Sequence, residues 1–286
     1  MQNTSIKQMR RLRYNCTIHI SILSFILFSA VCHVKNMLKT EQLARYLEQY
    51  KQLKLHHAAD VKTRTWQVAD WQKQRMHQVH GNLFANDHYA QISHFFLDQL
   101  YNFDALAELA DQLELMLAQK VKLDRWLPNE ILNALVQSMQ LALLTIKLDQ
   151  QLAIQLIQKE QPLNHENLLH IALACHQRPN RLRQLKLFQN VSQQLARHAQ
   201  SLLLRTSLKL AKSKLKQRGF APMYNYLDHG FQVMRSNPHA KQFFNQYAQQ
   251  EHCFLDYLVN AQPSDLHVYY DPTSQQICRD AQTPPQ

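Results

Sequence analysis

The chain has 286 residues, 45% hydrophobic and 19% charged, with a formal net charge of +11; that composition supports one large core or two modest ones and excludes a disordered chain. Only three glycines occur, with no Asn-Gly or Asp-Gly dipeptide, so tight strand turns have almost no material to form from. Gly81, Gly219 and Gly230 also stand too far apart for a P-loop, a dinucleotide fingerprint or a G-x-S-x-G elbow.

The expected fold is therefore all-α: a multi-helix, bundle-like or orthogonal single domain, divided at most into two lobes. In chain order, residues 1–36 come first as a basic and apolar segment. Lys7, Arg10, Arg11 and Arg13 precede the uncharged run from Ile20 to Val31, which is the grammar of a signal or anchor. Met37 follows and opens an amphipathic stretch typical of a cytosolic protein. A start at Met37 implies a cytoplasmic location; a genuine leader implies anchoring or export. Both readings stand. The five cysteines, Cys16, Cys32, Cys175, Cys253 and Cys278, are odd in number and widely spaced, which offers no disulfide framework and fits a reducing compartment.

The helical domain is expected over residues 37–262, with a loosely ordered tail at 263–286. Pro128, Pro162, Pro179, Pro222, Pro238 and Pro263 separate Leu- and Ala-rich runs. Proline is tolerated in the first turn and costs ~3 kcal/mol inside a helix, so these positions mark helix starts or seams. The spacing predicts helices near 38–55, 60–79, 87–101, 104–120, 128–147, 149–160, 163–177, 180–218, 222–234 and 238–260. Trp71 and Arg75, four apart, suit a cation–π contact.

In "HFFLDQLYNFDAL", Phe96, Leu100 and Phe103 fall at i, i+4 and i+7 and predict a buried stripe flanked by Phe95 and Tyr101. Phe95, Phe96, Leu97, Asp98, Gln99, Leu100 and Tyr101 resemble the signature of bacterial proteins named for an FFLEE or FFLEELY motif. "WQVADWQKQR", "LALLTIKLDQQLA" and "MYNYLDHGFQVM" extend the likeness across residues 40 to 260. The chain departs from the motif at Asp98 and Gln99, where that family has two glutamates. The resemblance implies a helical bacterial protein beginning near Met37, and implies no activity.

"NHENLLHIALACH" imitates a zinc protease but fails on geometry. A zincin needs two histidines at i and i+4, whereas His165 and His170 are five apart, about 140° around a helix. Leu168, Ala172 and Cys175 form an apolar stripe instead, which makes Cys175 a small core residue. His77 and His80, at i and i+3, could share a metal with His88 and His94. No E-x-x-H pair exists for a di-iron bundle. Catalytic residues, bound metal and cofactors are not expected from any of these groupings.

Charge is distributed unevenly. From Asn167 to Leu227 there is no Asp or Glu, while Arg and Lys occur eleven times. From Phe96 to Glu166 there are ten acids and five bases. Leu204, Leu208, Ala211 and Leu215 align on one helix face, with Arg205, Lys209, Lys212 and Lys216 in a stripe about 100° away. That stripe can be a solvated face, a contact with the acidic helices or a partner chain, or a seat for phosphates. The leading expectation is a noncatalytic interaction module with a protein partner. Nonspecific nucleic acid or anionic lipid binding through residues 197–218 is the alternative, and a helical metal protein is the third reading.

Overall fold

Local capping chemistry sets several helix boundaries. The computed structural model describes residues 39–100, 102–119 and 129–260. It shows α1 at residues 39–51, α2 Ala59–Val79, α3 Gly81–Phe84, α4 Ala90–Phe95 and α5 Phe103–Ala118. Beyond these lie α6 Asn129–Gln158, α7 His165–Ala174, α8 Arg178–Ala199, α9 Leu202–Gln217, α10 Ala221–Ser236 and α11 Ala240–Asn260. No strand occurs among the described residues, and the domain is all-α. Asn102, Asn164 and Ser201 accept backbone N–H groups at the starts of α5, α7 and α9, satisfying donors that a helix leaves orphaned. Pro179 and Pro222 fall in the first turns of α8 and α10. Segments 1–36 and 263–286 lie outside the described residues.

Three expected boundaries differ. Residues 128–147 and 149–160 were expected as two helices, and they are one, α6. Asp149 does not break it, because its fully buried carboxylate is held by Arg181 at 2.7 Å from α8. The expected helix 180–218 is two helices, α8 and α9. The Ser201 hydroxyl accepts from the Leu204 N–H at 3.3 Å and starts a new helix where the old one ends. Residues 87–101 divide into α4 and a π-helical turn, Phe96–Leu100.

α6 is the central helix, with α2 along one side and α8 along another; α11 packs on α8. It is also long and apolar enough to cross a membrane by length and composition, yet Leu132, Ile146, Leu152 and Leu156 are almost completely buried by other helices. Its apolarity serves this interior. One cluster joins α1, α5, α6 and α9 around Leu43, Met116, Leu132 and Leu215. A second is aromatic, built on Phe96, Phe188, Phe243 and Tyr247. A third joins α2, α6, α7 and α11 around Val68, Leu152, Leu168 and Phe254.

Two helix ends carry opposite expectations for stability. After α9, the Phe220 N–H reaches back to the Leu215 carbonyl at 2.9 Å across Gly219, whose φ of 86° is left-handed. After α6, the Gln161 N–H reaches the Leu156 carbonyl at 3.0 Å across Glu160, with φ 51°. The geometry is the same, but Glu160 has a Cβ that crowds the following carbonyl. Gly219→Ala is expected to cost about 1 kcal/mol, and Glu160→Gly to gain about 0.5–1 kcal/mol. Guanidinium unfolding of both variants checks the pair; equal signs would contradict it.

Candidate functional site

The exposed face of α9 is built by simple helical periodicity. Leu204, Leu208, Ala211 and Leu215 are buried against the rest of the fold, and each leucine contributes about 1.5–3 kcal/mol. Arg205, Lys209, Lys212 and Lys216 are consequently turned outward and exposed. None of the four forms an ion pair among the described residues. Lys212 and Lys216 stand 5.7 and 5.9 Å from the Tyr224 ring centroid on α10. Arg205, Lys209 and Lys212 rim a groove of about 470 Å³ between α9 and α10, to which Arg235 adds a fourth cation and Asp228, among the described residues, the one acid. Burial pushes the Tyr224 hydroxyl up, and Asp228 adds to that.

Three exposed leucines on the same helix are the feature that sequence reasoning missed. Leu202, Leu203 and Leu210 are 73–75% exposed, the most exposed large apolar side chains described. Leu203 and Leu210, seven residues apart, share one side of α9. The sequence held a signal for them: with Leu204, Leu208 and Leu215 assigned to one face, 203 and 210 cannot also face inward.

The family-like motif serves the interior. Phe95, Phe96 and Leu97 are consecutive yet each only 4% exposed. A regular α-helix would spread them over about 200°; the π-helical turn that begins at Phe96 alters this register. Phe96 packs its ring 4.8 Å from Tyr247 and 5.2 Å from Phe188. Phe95 lies against Gly230, where an added Cβ would come within 3.1 Å of its ring. The Leu100 side chain and Tyr101 lie outside the described residues. Asp98 is half-exposed and pairs with His94.

The histidines expected as metal candidates diverge. His77 is exposed, with its ring edge-on to Phe84. His80 is completely buried: Nε2 lies 2.6 Å from Glu251 Oε1 and Nδ1 2.7 Å from Gln250 Oε1. His88 stacks near His239. Among the described residues, no three potential ligands converge. His165 packs against Trp71, while His170 faces Glu166 at 3.8 Å. Burial raises the Cys175 thiol, with Lys159 opposing, as suits a residue packed against the third core cluster.

His80 belongs to a buried charged group at the junction of α2 and α11. Arg75 Nη1 and Nη2 donate to Glu251 Oε1 and Oε2 at 2.8 and 2.9 Å, and Nε donates to Gln72 at 2.9 Å. The guanidinium does not sit over Trp71, as its spacing suggested; it lies 4.4 Å from the Phe254 centroid. The reason is that residues four apart can meet only if neither has a better partner across the fold. Burial alone would raise the Glu251 carboxyl, but the Arg75 charge and the His80 contact hold it well below the usual carboxylate range. Arg75 could have been found as a cation on the apolar face carrying Val61, Val68 and Trp71. Glu251 likewise interrupts the stripe of Tyr247, Phe254 and Leu258.

Beside this group lies a cavity of about 630 Å³, within the range of about 300–1,000 Å³ typical of ligand pockets. Leu135, Ser138, Met139 and Ala142, at i, i+3, i+4 and i+7, form its α6 wall and are half-buried although α6 is central. Leu185, Tyr226 and Phe254 contribute from α8, α10 and α11. The partial exposure of these α6 residues shows that the cavity opens to solvent along that side.

Comparison with known proteins adds one finding. A family model for a domain of unknown function matches residues 52–265. No curated protein and no solved structure matches the chain.

Proposed function

The chain belongs to the DUF8198 family of domains of unknown function, and on that premise we propose a noncatalytic docking module that rests on an anionic membrane surface through α9. The observation that carries this reading is that the solvent-facing side of one helix carries the four cations along one edge and Leu203 and Leu210 along the other, about 140° apart, so that both edges can reach the same surface. Leu202, Leu203 and Leu210 supply apolar side chains that enter the headgroup region, and Arg205, Lys209, Lys212 and Lys216 supply attraction to acidic lipid. A phosphate backbone would use the cations but leave the leucines without a role, and Tyr224, the ring beside Lys212 and Lys216, is buried and offers no open face for base stacking. A protein partner remains the rival occupant. The basic and apolar sequence at Lys7 to Val31 supplies a second element of the same chemistry, and stable anchoring takes two signals. The resemblance to the FFLEE-motif proteins fits an interaction role in that it brings no catalytic residue.

Co-sedimentation with vesicles tests the proposal. The protein is expected to bind phosphatidylserine-containing vesicles and to be released by salt. Each basic residue near such a surface is worth about 1 kcal/mol. Arg205→Gln, Lys209→Gln, Lys212→Gln and Lys216→Gln together should therefore weaken binding on the order of a thousandfold. Leu202→Ser, Leu203→Ser and Leu210→Ser should weaken it at any salt concentration. Undiminished binding in the four-fold variant would overturn the reading. Duplex DNA binding that survives the serine changes, without vesicle binding, would transfer the face to nucleic acid.

A further inference from the structure

The central cavity has a chemistry of its own, independent of the α9 surface. Its walls are mostly leucine, methionine and phenylalanine, which favour an apolar body over water. Three arginines reach it, and each is already bound to a carboxylate. Arg75 is bidentate on Glu251, Arg181 donates to Asp149 at 2.7 Å, and Arg178 to Asp256 at 2.5 Å. The Arg181 pair is further tied by Gln184, which donates to the Thr145 hydroxyl at 2.6 Å. An anionic ligand would have to compete with these carboxylates, and separating the two buried pairs, Arg75–Glu251 and Arg181–Asp149, would leave a charge in apolar surroundings.

A donor remains on the wall. The Tyr226 side chain is half-buried; its hydroxyl forms no hydrogen bond among the described residues, and the surrounding protein pushes its ionisation above the ordinary tyrosine range. It lines the cavity, as does Ser138 of α6. A hydroxyl on the cavity wall that no protein group accepts from is free to donate to a ligand oxygen placed beside it.

We propose that this cavity binds an uncharged amphiphile, a lipid-sized apolar molecule whose hydroxyl, carbonyl or ether oxygen accepts the Tyr226 hydrogen bond. The apolar body lies along the Leu135, Met139 and Ala142 wall of α6. The paired arginines act as spectators that repel no neutral ligand and recruit no anion. Charge, rather than size, then separates ligands from non-ligands.

Displacement of Nile red, a neutral apolar dye, tests this on the full chain. The protein should take up one dye molecule and release it to 1-hexadecanol. Hexadecanoate, with the same chain length and a charged head, should be weaker by more than about tenfold, since burying an unpaired carboxylate is disfavoured. Tyr226→Phe should weaken hexadecanol by up to about tenfold, the worth of one hydrogen bond. Ala142→Trp and, separately, Leu185→Trp should abolish dye uptake by filling the space, with helical circular dichroism retained. Either filling variant suffices if the other fails to fold. The proposal falls if the parent protein takes up no dye, if folded filling variants take it up unchanged, or if hexadecanoate displaces it better than the alcohol. An unaltered hexadecanol affinity in Tyr226→Phe would overturn the role given to that hydroxyl. Vesicle binding through α9 should persist in every cavity variant.

Discussion

Arg75→Leu is expected to lower the unfolding free energy by about 3–5 kcal/mol, the usual cost of removing one partner from a buried ion pair. The side chains of Arg75 and Glu251 are only 6% and 13% exposed, so the carboxylate left behind cannot recover its solvation from water. The loss has a pH signature. In the folded protein the Glu251 carboxyl ionises well below its ordinary value of 4.5, because Arg75 and His80 outweigh the effect of burial. A depressed folded value contributes stability above the unfolded value, and that stability is lost as pH falls through the folded one. The parent protein should therefore weaken on acidification below about pH 4.5. In Arg75→Leu the carboxyl loses its chief cation and burial pushes it the other way, so the stability gap between the two proteins narrows as pH falls from 7 towards 4. Urea unfolding at several pH values measures both. A loss under about 1 kcal/mol at pH 7, or a gap independent of pH, would contradict this assignment. Arg75→Leu combined with Glu251→Met should recover much of the loss, since a matched apolar pair removes both charges together.

Phe96→Ala is expected to cost about 3–5 kcal/mol, the range for deleting a buried aromatic ring and leaving its cavity. Phe96 is the hub at which Phe188 of α8 and Phe243 and Tyr247 of α11 meet the π-helical turn. Asp98→Glu, two residues on and half-exposed, should change stability by less than about 0.5 kcal/mol. The contrast separates the aromatic part of the motif, which packs, from the acidic part, which meets solvent. The Tyr247 ring also lies 4.7 Å from that of His80, which contacts Glu251, so the Phe96 and Arg75 changes are linked through shared neighbours. Their combined cost should differ from the sum of the two single costs. Thermal unfolding of the single and double variants would reveal it.

Much of the architecture was legible because it is local. Glycine scarcity excludes tight turns, and each proline in the described region falls at or beside a helix start. The 3.6-residue period places Leu204, Leu208, Ala211 and Leu215 inward, and their burial follows. The basic stripe was legible for the same reason. The expected break at residue 148 was wrong because a charged residue, Asp149, reads as surface until a cation from another helix is seen to cover it. The break at Ser201 was missed because serine caps a helix only in one backbone conformation, and its neighbours on both sides are good helix formers.

The sequence by itself determined helix content, which faces are apolar and where positive charge accumulates, since these follow from residue type and spacing along one chain. Only the tertiary structure decided that Arg75 meets Glu251 across 176 residues, that Tyr226 lines a cavity and that Leu203 and Leu210 stay outside. The physical reason is that helical period fixes which side of a helix faces inward, but not which other helix faces it. That second choice is made by the packing of all the helices at once, and it is where ion pairs, cavities and uncovered leucines arise.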